Sequence, residues 1–295
     1  MKVIVTGKDG QLGQALIDSA PQGVELMATG RDQLNLADAG ACRRIVLEFQ
    51  PDWVISAGAY TAVDRAESEP DLAMAVNAGA PGAFAEALAE TGGKLLQVST
   101  DFVFNGSQGH PYQPGQAMQP LGVYGKTKAA GESAALRSLA PEKLTILRTS
   151  WVYGPVGKNF CLTMLRLHRQ KAEAGTSLGV VADQVGCPTS TLTLANACWA
   201  ATARHGGGVL HWCDAGATSW YDFAIAIGEL GVSAGLLNET AQVNPLTTAD
   251  YPTPAERPSY SLLDCTSSRQ ALDLQATHWR SALRAVLKAI PAPTS

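Results

Sequence analysis

A phenol and an amine, Tyr124 and Lys128, stand four residues apart in the run Tyr124-Gly125-Lys126-Thr127-Lys128. On a helix that spacing puts both side chains on one face, one turn apart. A phenol titrates near pH ~10, but a neighbouring ammonium favours its ionised form and lowers its pKa. Tyr124 with Lys128 is therefore a candidate proton donor and acceptor. Upstream, Gln97-Val98-Ser99-Thr100-Asp101-Phe102-Val103-Phe104-Asn105-Gly106 reads as a buried strand running into a loop that carries a hydroxyl and a carboxylate. Thr100 is a candidate second hydrogen-bond donor to the same substrate oxygen. Ordinary helix surfaces also produce the Tyr/Lys spacing, so its weight comes from the segments around it.

The first of these is N-terminal. Lys2-Val3-Ile4-Val5-Thr6 is a short apolar strand, then come Gly7-Lys8-Asp9-Gly10-Gln11-Leu12-Gly13 and a helical pattern in Leu12, Ala15 and Leu16. Strand, glycine turn and helix form the context of a dinucleotide fingerprint, here spaced GxxGxxG. Glycine reaches unusual dihedrals and lets backbone N–H groups approach a pyrophosphate at the positive end of the helix. Gly7, Gly10, Gln11, Leu12 and Gly13 are the candidate cradle; a tight turn without a ligand is the plainer alternative. The next strand, Val24 to Ala28, ends in Thr29-Gly30-Arg31-Asp32. An acidic residue there grips ribose hydroxyls, whereas a guanidinium suits a 2′-phosphate. Arg31 comes first, so NADPH is expected; Asp32 leaves NADH open, and a solvated Arg/Asp pair is the alternative. Asn35 and Leu36 precede a helix expected over 39–49 and either reach the adenine edge or belong to its cap.

Strand and helix then alternate. Trp53 to Ser56 is a strand, and Ala57-Gly58-Ala59-Tyr60 is a small-residue turn where a ligand could pass close to backbone. Helical periodicity covers 71–91, a strand covers Leu95 to Val98, a helix runs from Gly122 to Leu136, and a fifth strand covers Leu144 to Leu147. This order predicts an α/β fold, a Rossmann-type doubly wound parallel sheet with ligands beyond the carboxyl ends of its strands. Thr6-Gly7, Ala57, Ser99-Thr100 and Thr149-Ser150 all fall at such ends. The expected division is 1–150 as the dinucleotide-binding domain, with later returns over about 178–218. A smaller α/β substrate-binding region comes from 151–177 and 219–295.

Composition sets the bounds. A chain of 295 residues, 46% hydrophobic, suits one large domain or two coupled ones. A net charge of -4 and a pI near 5.7 exclude broad binding to nucleic acid or anionic membranes, though not an anionic ligand in a local pocket. Met1-Lys2 leads directly into a strand, with nothing like a signal peptide and no apolar run approaching the ~18 residues of a membrane span, so the expected location is the cytoplasm. Six cysteines at 42, 161, 187, 198, 213 and 265 show neither CxxC nor zinc spacing and read as free, mostly buried thiols. None of the histidines at 110, 168, 205, 211 and 278 has a catalytic partner arrangement. Pro291 to Ser295 is expected to be a frayed tail.

GxxGxxG at the first turn, Ser99-Thr100-Asp101 and the Tyr124/Lys128 pair resemble the extended short-chain dehydrogenase/reductases. Later blocks narrow the likeness to the dTDP-4-dehydrorhamnose reductase family. They are Tyr60 to Glu67, Arg148-Thr149-Ser150-Trp151-Val152-Tyr153-Gly154, Asp183 to Thr189, Ser219 to Ala224 and Arg257 to Leu262. The resemblance implies that a reduced nicotinamide delivers hydride to the C4 ketone of a dTDP-4-dehydro-6-deoxyhexose, giving dTDP-L-rhamnose. It also implies that Tyr124 protonates the developing alkoxide, that Thr100 shares the hydrogen bond, and that Lys128 holds the nicotinamide ribose and depresses the Tyr124 pKa. Gly58, Ala59 and Tyr60 join the cofactor side, and Asp101 the substrate side. Trp151 either stacks on the sugar or sits in the core. Asn159 offers an amide near that loop. Arg257 either grips the substrate diphosphate or forms a surface ion pair. Ser219 reads as the N-cap of a helix containing Trp220 and Phe223, with pure packing as the favoured alternative.

The chain departs from its relatives at Phe102, where many carry tyrosine, and at Asn105, a common aspartate. Some relatives dimerise through acidic residues and magnesium. Gln14-Ala15-Leu16 and Thr189-Ser190-Thr191-Leu192 hold no carboxylates, so no metal site is assigned and a homodimer stays open. A dehydratase would want an Asp-Glu pair beside the threonine, and Phe102 follows Asp101. Two competing functions stay compatible with the fold: another nucleotide-sugar ketoreductase or epimerase, and a dinucleotide-binding regulatory subunit of the methionine adenosyltransferase type. The intact Thr100, Tyr124 and Lys128 favour the enzyme.

Overall fold

The N-terminal apolar run forms β1 (Lys2–Thr6), with Val3, Ile4 and Val5 fully buried, as a parallel sheet covered on both faces requires. The protein is seen in a computed structural model that describes residues 1–204 and 206–291. After the glycine turn, α1 (Gln11–Asp18) buries Leu12, Gly13 and Leu16. Next is β2 (Glu25–Thr29), whose pairing with β1 starts at Lys2 and Glu25. The Asp38 carboxylate accepts from the Ala41 N–H and starts α2 (Ala39–Phe49), followed by β3 (Trp53–Ser56) and the one-turn α3 (Val63–Ala66).

The helix expected over 71–91 is composite. It consists of α4 (Pro70–Met74), a π turn at Ala75–Gly79 and α5 (Ala80–Thr91), ended by Gly92 at φ 89°. The widened turn places buried Asn77, which donates to the Tyr60 carbonyl and the Thr127 hydroxyl and accepts from the Tyr60 N–H. Next, β4 (Lys94–Thr100) extends past Val98, so Ser99 and Thr100 end the strand rather than starting the loop. A 3₁₀ turn, Asp101–Val103, leads toward α6 (Val123–Ser138) and β5 (Leu144–Thr149).

The second half uses shorter strands. In order come β6 (Val152–Tyr153), α7 (Phe160–Glu173), β7 (Leu178–Val181), β8 (Val185–Gly186) and β9 (Thr189–Ser190). Then follow α8 (Thr191–Arg204), β10 (Gly208–His211), β11 (Thr218–Ser219) and α9 (Trp220–Ser233). The described chain closes with β12 (Val243–Leu246), α10 (Thr266–Leu272) and α11 (Trp279–Ala289). The expected tail falls largely on residues 292–295, outside the described residues, as does His205.

The main sheet runs β2-β1-β3-β4-β5-β10, every pair parallel. The chain winds outward from β1 to β2 and then restarts on the other side at β3, which opens a crevice beyond the ends of β1 and β3. Period-two alternation feeds two cores. Ile4, Val54, Leu95 and Ile146 pack under α2, α5 and α6, while Val3, Ile55, Leu96 and Leu147 pack under α1 and α8. A third core joins α7, α9 and α11 through Leu165, Phe223, Ile227, Leu283 and Leu287. The segment that returns to the main sheet is α8 with β10. Residues 178–181 do not return: β7 pairs with β12 in a separate two-stranded sheet, and its Leu178 and Val180 are buried in the core of the second region. All six cysteines are buried and unbridged, and among the described residues no helix is long and apolar enough to cross a membrane.

Candidate active site

The glycine turn after β1 has no room for side chains. A Cβ on Gly7, at φ 74°, would sit 2.7 Å from Gly58 Cα, and one on Gly13 would sit 2.1 Å from the Gly7 carbonyl oxygen. The Gly58 N–H donates to the Thr6 hydroxyl at 3.0 Å, which draws the turns after β1 and β3 together. Helix α1 starts at Gly10 without a side-chain cap. Its first intrahelical bond is from Gln14 N–H to the Gly10 carbonyl, which leaves the N–H groups of Gln11, Leu12 and Gly13 as the free donors of the first turn. The cradle thus combines close backbone approach with a positive helix end. The Gln11 side chain does something else: it donates to the Val152 carbonyl at 3.0 Å and accepts from the Asn159 amide at 3.1 Å, closing the loop after β5 over the turn.

Arg31 lies exposed past the end of β2 and makes no ion pair among the described residues. Lys8 joins it, its ammonium donating to the Gln33 side chain at 2.6 Å beside Gly30. Asn35 accepts from the Ala37 N–H, while Leu36 packs against the turn at Gly58. The Ala57 N–H turns back to the Ile55 carbonyl and Ala59 continues the small-residue bend, after which the Tyr60 hydroxyl donates to Glu69.

Thr100, Tyr124 and Lys128 meet at the end of β4. The Thr100 hydroxyl donates to the Asp101 carboxylate at 3.0 Å, and Gly125 lets the Phe102 carbonyl press against α6. The Phe102 ring meets Tyr124 edge-on, centroids 5.5 Å apart, as a packing role for this position requires. Lys128 is 4% exposed, and its ammonium donates to the Val98 carbonyl at 2.7 Å. Electrostatics here differ from the spacing argument. The Tyr124 ring is partly exposed, yet burial around the phenol pushes its pKa up to about 12; the Thr100 hydroxyl opposes this and the Asp101 carboxylate adds to it. Burial draws Lys128 down to about 8, with Glu132 opposing. Desolvation outweighs any lowering of Tyr124 by the ammonium, which is turned to the strand.

On the other side of the cleft, Trp151 adopts φ 47°, a strained setting for a tryptophan. Its ring stacks on Trp220 at 3.6 Å between centroids and lies against Gly186, so its faces are largely taken by protein. Ser219 does cap α9, in a capping box with Asp222. The Asn159 side chain caps α7 through the Leu162 N–H, and its amide donates to Gln11, Gly154 and Val156, leaving no free donor. Arg257 makes a two-pronged pair with Asp64, at 3.0 and 2.9 Å, and reaches the Thr253 hydroxyl. Of its two expected roles, the ion pair is the one formed here.

Comparison with known proteins gives the same outline. The model described as "RmlD substrate binding domain" matches residues 1–291. The chain is 39% identical to a dTDP-4-dehydrorhamnose reductase of Aggregatibacter actinomycetemcomitans, across 96% of this chain and 97% of that one. It belongs to the dTDP-4-dehydrorhamnose reductase family. Among solved members, the reductase of Clostridium acetobutylicum superposes with a TM-score of 0.89 at 34% identity, covering 98% of this chain and 99% of that one. The Bacillus anthracis reductase, solved in complex with NADP, also gives 0.89 at 32% identity, covering 97% and 98%.

Several residues of this family member carry little signal in the sequence. Lys8 sits inside the glycine motif, where the glycines alone define the pattern. Asn77 is a lone amide in an alanine-rich helix, and that contrast is its signal. Glu132 and Arg148 form a fully buried ion pair behind Lys128; only the i,i+4 spacing of Lys128 and Glu132 hints at it.

Proposed function

We propose that this chain reduces the C4 ketone of dTDP-4-dehydro-L-rhamnose to dTDP-L-rhamnose with NADPH, and that Thr100, Tyr124 and Lys128 carry the proton chemistry. The observation that carries the reading is the convergence of these three side chains at the end of β4, one crevice away from the uncapped start of α1. Gly7, Gly10, Gln11, Leu12, Gly13 and Gly58 fit a pyrophosphate, since a Cβ at Gly7 or Gly13 would fill the space backbone needs. When bound, the reduced nicotinamide supplies the hydride. Tyr124 keeps its proton through neutral pH, the state a donor to a developing alkoxide needs. Thr100 adds a second hydrogen bond to that oxygen by turning its hydroxyl away from Asp101. Lys128, charged at neutral pH and fixed on Val98, holds the nicotinamide ribose. Arg31 with Lys8 supports a 2′-phosphate, hence NADPH over NADH. The Trp151–Trp220 stack walls the sugar side, and Arg257 reaches the diphosphate after leaving Asp64.

The test is oxidation of NADPH, with NADH in parallel, on substrate generated in situ. Wild-type protein turns over faster with NADPH, and Tyr124→Phe loses about 10²- to 10⁴-fold in kcat while its NADPH affinity stays within a few-fold. Undiminished kcat in that variant would remove Tyr124 from its role.

A further inference from the structure

Three consecutive residues of β4 hold three positions of α6 that lie one turn apart on a single face. Thr100 stands beside Tyr124, the Val98 carbonyl accepts from Lys128 at 2.7 Å, and the Ser99 hydroxyl donates to Glu132. Behind them, Arg148 on β5 pairs in register with Ser99, and His211 on β10 pairs in register with Arg148. Arg148 grips Glu132 with Nε to Oε1 at 3.0 Å and Nη2 to Oε2 at 2.7 Å, and its Nη1 donates to the Pro114 carbonyl. Glu132 is 1% exposed and Arg148 3%. A carboxylate and a guanidinium taken out of water this completely need a strong compensating role, because desolvation cancels much of their attraction.

We propose that Glu132 is a positioning residue for the reduction: anchored by Arg148 and Ser99, its carboxylate sets the register of α6 on β4 and holds the Lys128 ammonium at the cofactor site. The proposal rests on the functional reading only in taking Lys128 as a cofactor contact. Glu132, one turn along the same helix, is the charged group that acts on Lys128; from the turn after β4 Asp101 acts on Tyr124, and from β5 and β10 Arg148 holds Glu132 with His211 against Arg148. His211 is neutral, pushed down to about 3 by burial and the Arg148 charge. Asn77 on the π turn is uncharged. Glu132 is thus the carboxylate on α6 that supports the Lys128 charge against burial, which has already brought that group to about 8.

Glu132→Gln alone would leave the Arg148 charge buried without its partner and is expected to melt early. The informative variant is therefore Glu132→Gln with Arg148→Met, which removes both charges, alongside Glu132→Asp as the conservative control. The readouts are thermal melting and NADPH affinity by fluorescence from pH 6 to 9, neither of which needs the sugar substrate. Wild-type affinity is expected to fall as pH rises through about 8, the value for Lys128. In the folded double variant the fall moves about one pH unit lower, giving roughly fivefold weaker binding at pH 8, whereas Glu132→Asp, which keeps the carboxylate and Arg148, retains most of the wild-type affinity. A folded double variant with the wild-type pH dependence overturns the role of Glu132 and leaves the functional reading intact. Wild-type protein that binds no NADPH overturns both.

Discussion

Asp101 illustrates what a single side chain contributes that spacing does not reveal. It is 2% exposed, and burial pushes its carboxyl up to about 6, with the Ser261 and Thr100 hydroxyls opposing. A folded-state pKa above the unfolded 3.8 means that the folded protein binds this proton more tightly. The associated stability is present below pH 3.8 and is lost as pH rises through about 6, leaving a cost on the order of 3 kcal/mol above that. Asp101→Asn should therefore raise stability by roughly 1–3 kcal/mol at pH 8 and change it little at pH 4, read by denaturant titration at both. An equal gain at the two pH values would mean that ionisation is not the cause. Tyr124, Lys128 and Thr100 are readable from residue type and spacing. Their protonation is not, because the pattern carries no information about burial, and burial decides the direction for both Tyr124 and Lys128.

The strand–turn–helix unit at the N-terminus is readable because strand period, glycine spacing and helix period change within a dozen residues. Its sensitivity follows from the same glycines. Gly7→Ala places a Cβ against Gly58 at a backbone φ of 74°, whereas Gly23→Ala, at φ 80°, meets nothing within 4 Å. Both carry the cost of a left-handed backbone, about 1–2 kcal/mol, but only Gly7→Ala also forces the two turns apart. It should destabilise more than Gly23→Ala and weaken NADPH binding at least tenfold; equal melting and affinity in the two variants would argue against a shared cradle. The π turn at Ala75–Gly79 is invisible in the sequence, since one widened turn shifts the apolar stripe too little to break its periodicity. The small strands β6, β8, β9 and β11 have two residues each and so offer no period to read.

Across the whole molecule, the main-sheet half and the second region are tied where the Tyr112 N–H donates to the Leu262 carbonyl, where the Ser259 hydroxyl donates to the Gly106 carbonyl, and at two contacts flanking the cleft. Gln11 meets Val152 and Asn159 on one side of the cleft, and Asp64 meets Arg257 on the other. The Asp64–Arg257 pair is partly exposed and worth about 0–1 kcal/mol, so a substrate diphosphate can replace Asp64 at small cost. Arg257→Ala is expected to raise KM about tenfold or more with kcat nearly unchanged, and Asp64→Asn to lower KM, while neither moves stability by more than about 1 kcal/mol. An unchanged KM in Arg257→Ala would leave Arg257 as an ion-pair residue alone. The alternation of strands and helices makes the sheet readable, but the long-range pairing of β7 with β12 and the return of β10 beside β5 depend on contacts that no local pattern encodes.

The most direct measurement follows the hydride itself. The substrate is reduced with NADPH carrying deuterium at the transferable C4 position of the nicotinamide, and the product is analysed by NMR. The expected product is dTDP-L-rhamnose with deuterium at C4 of the sugar and none elsewhere. Deuterium at another carbon, or a product without deuterium while substrate is consumed, would contradict reduction at C4 by this site.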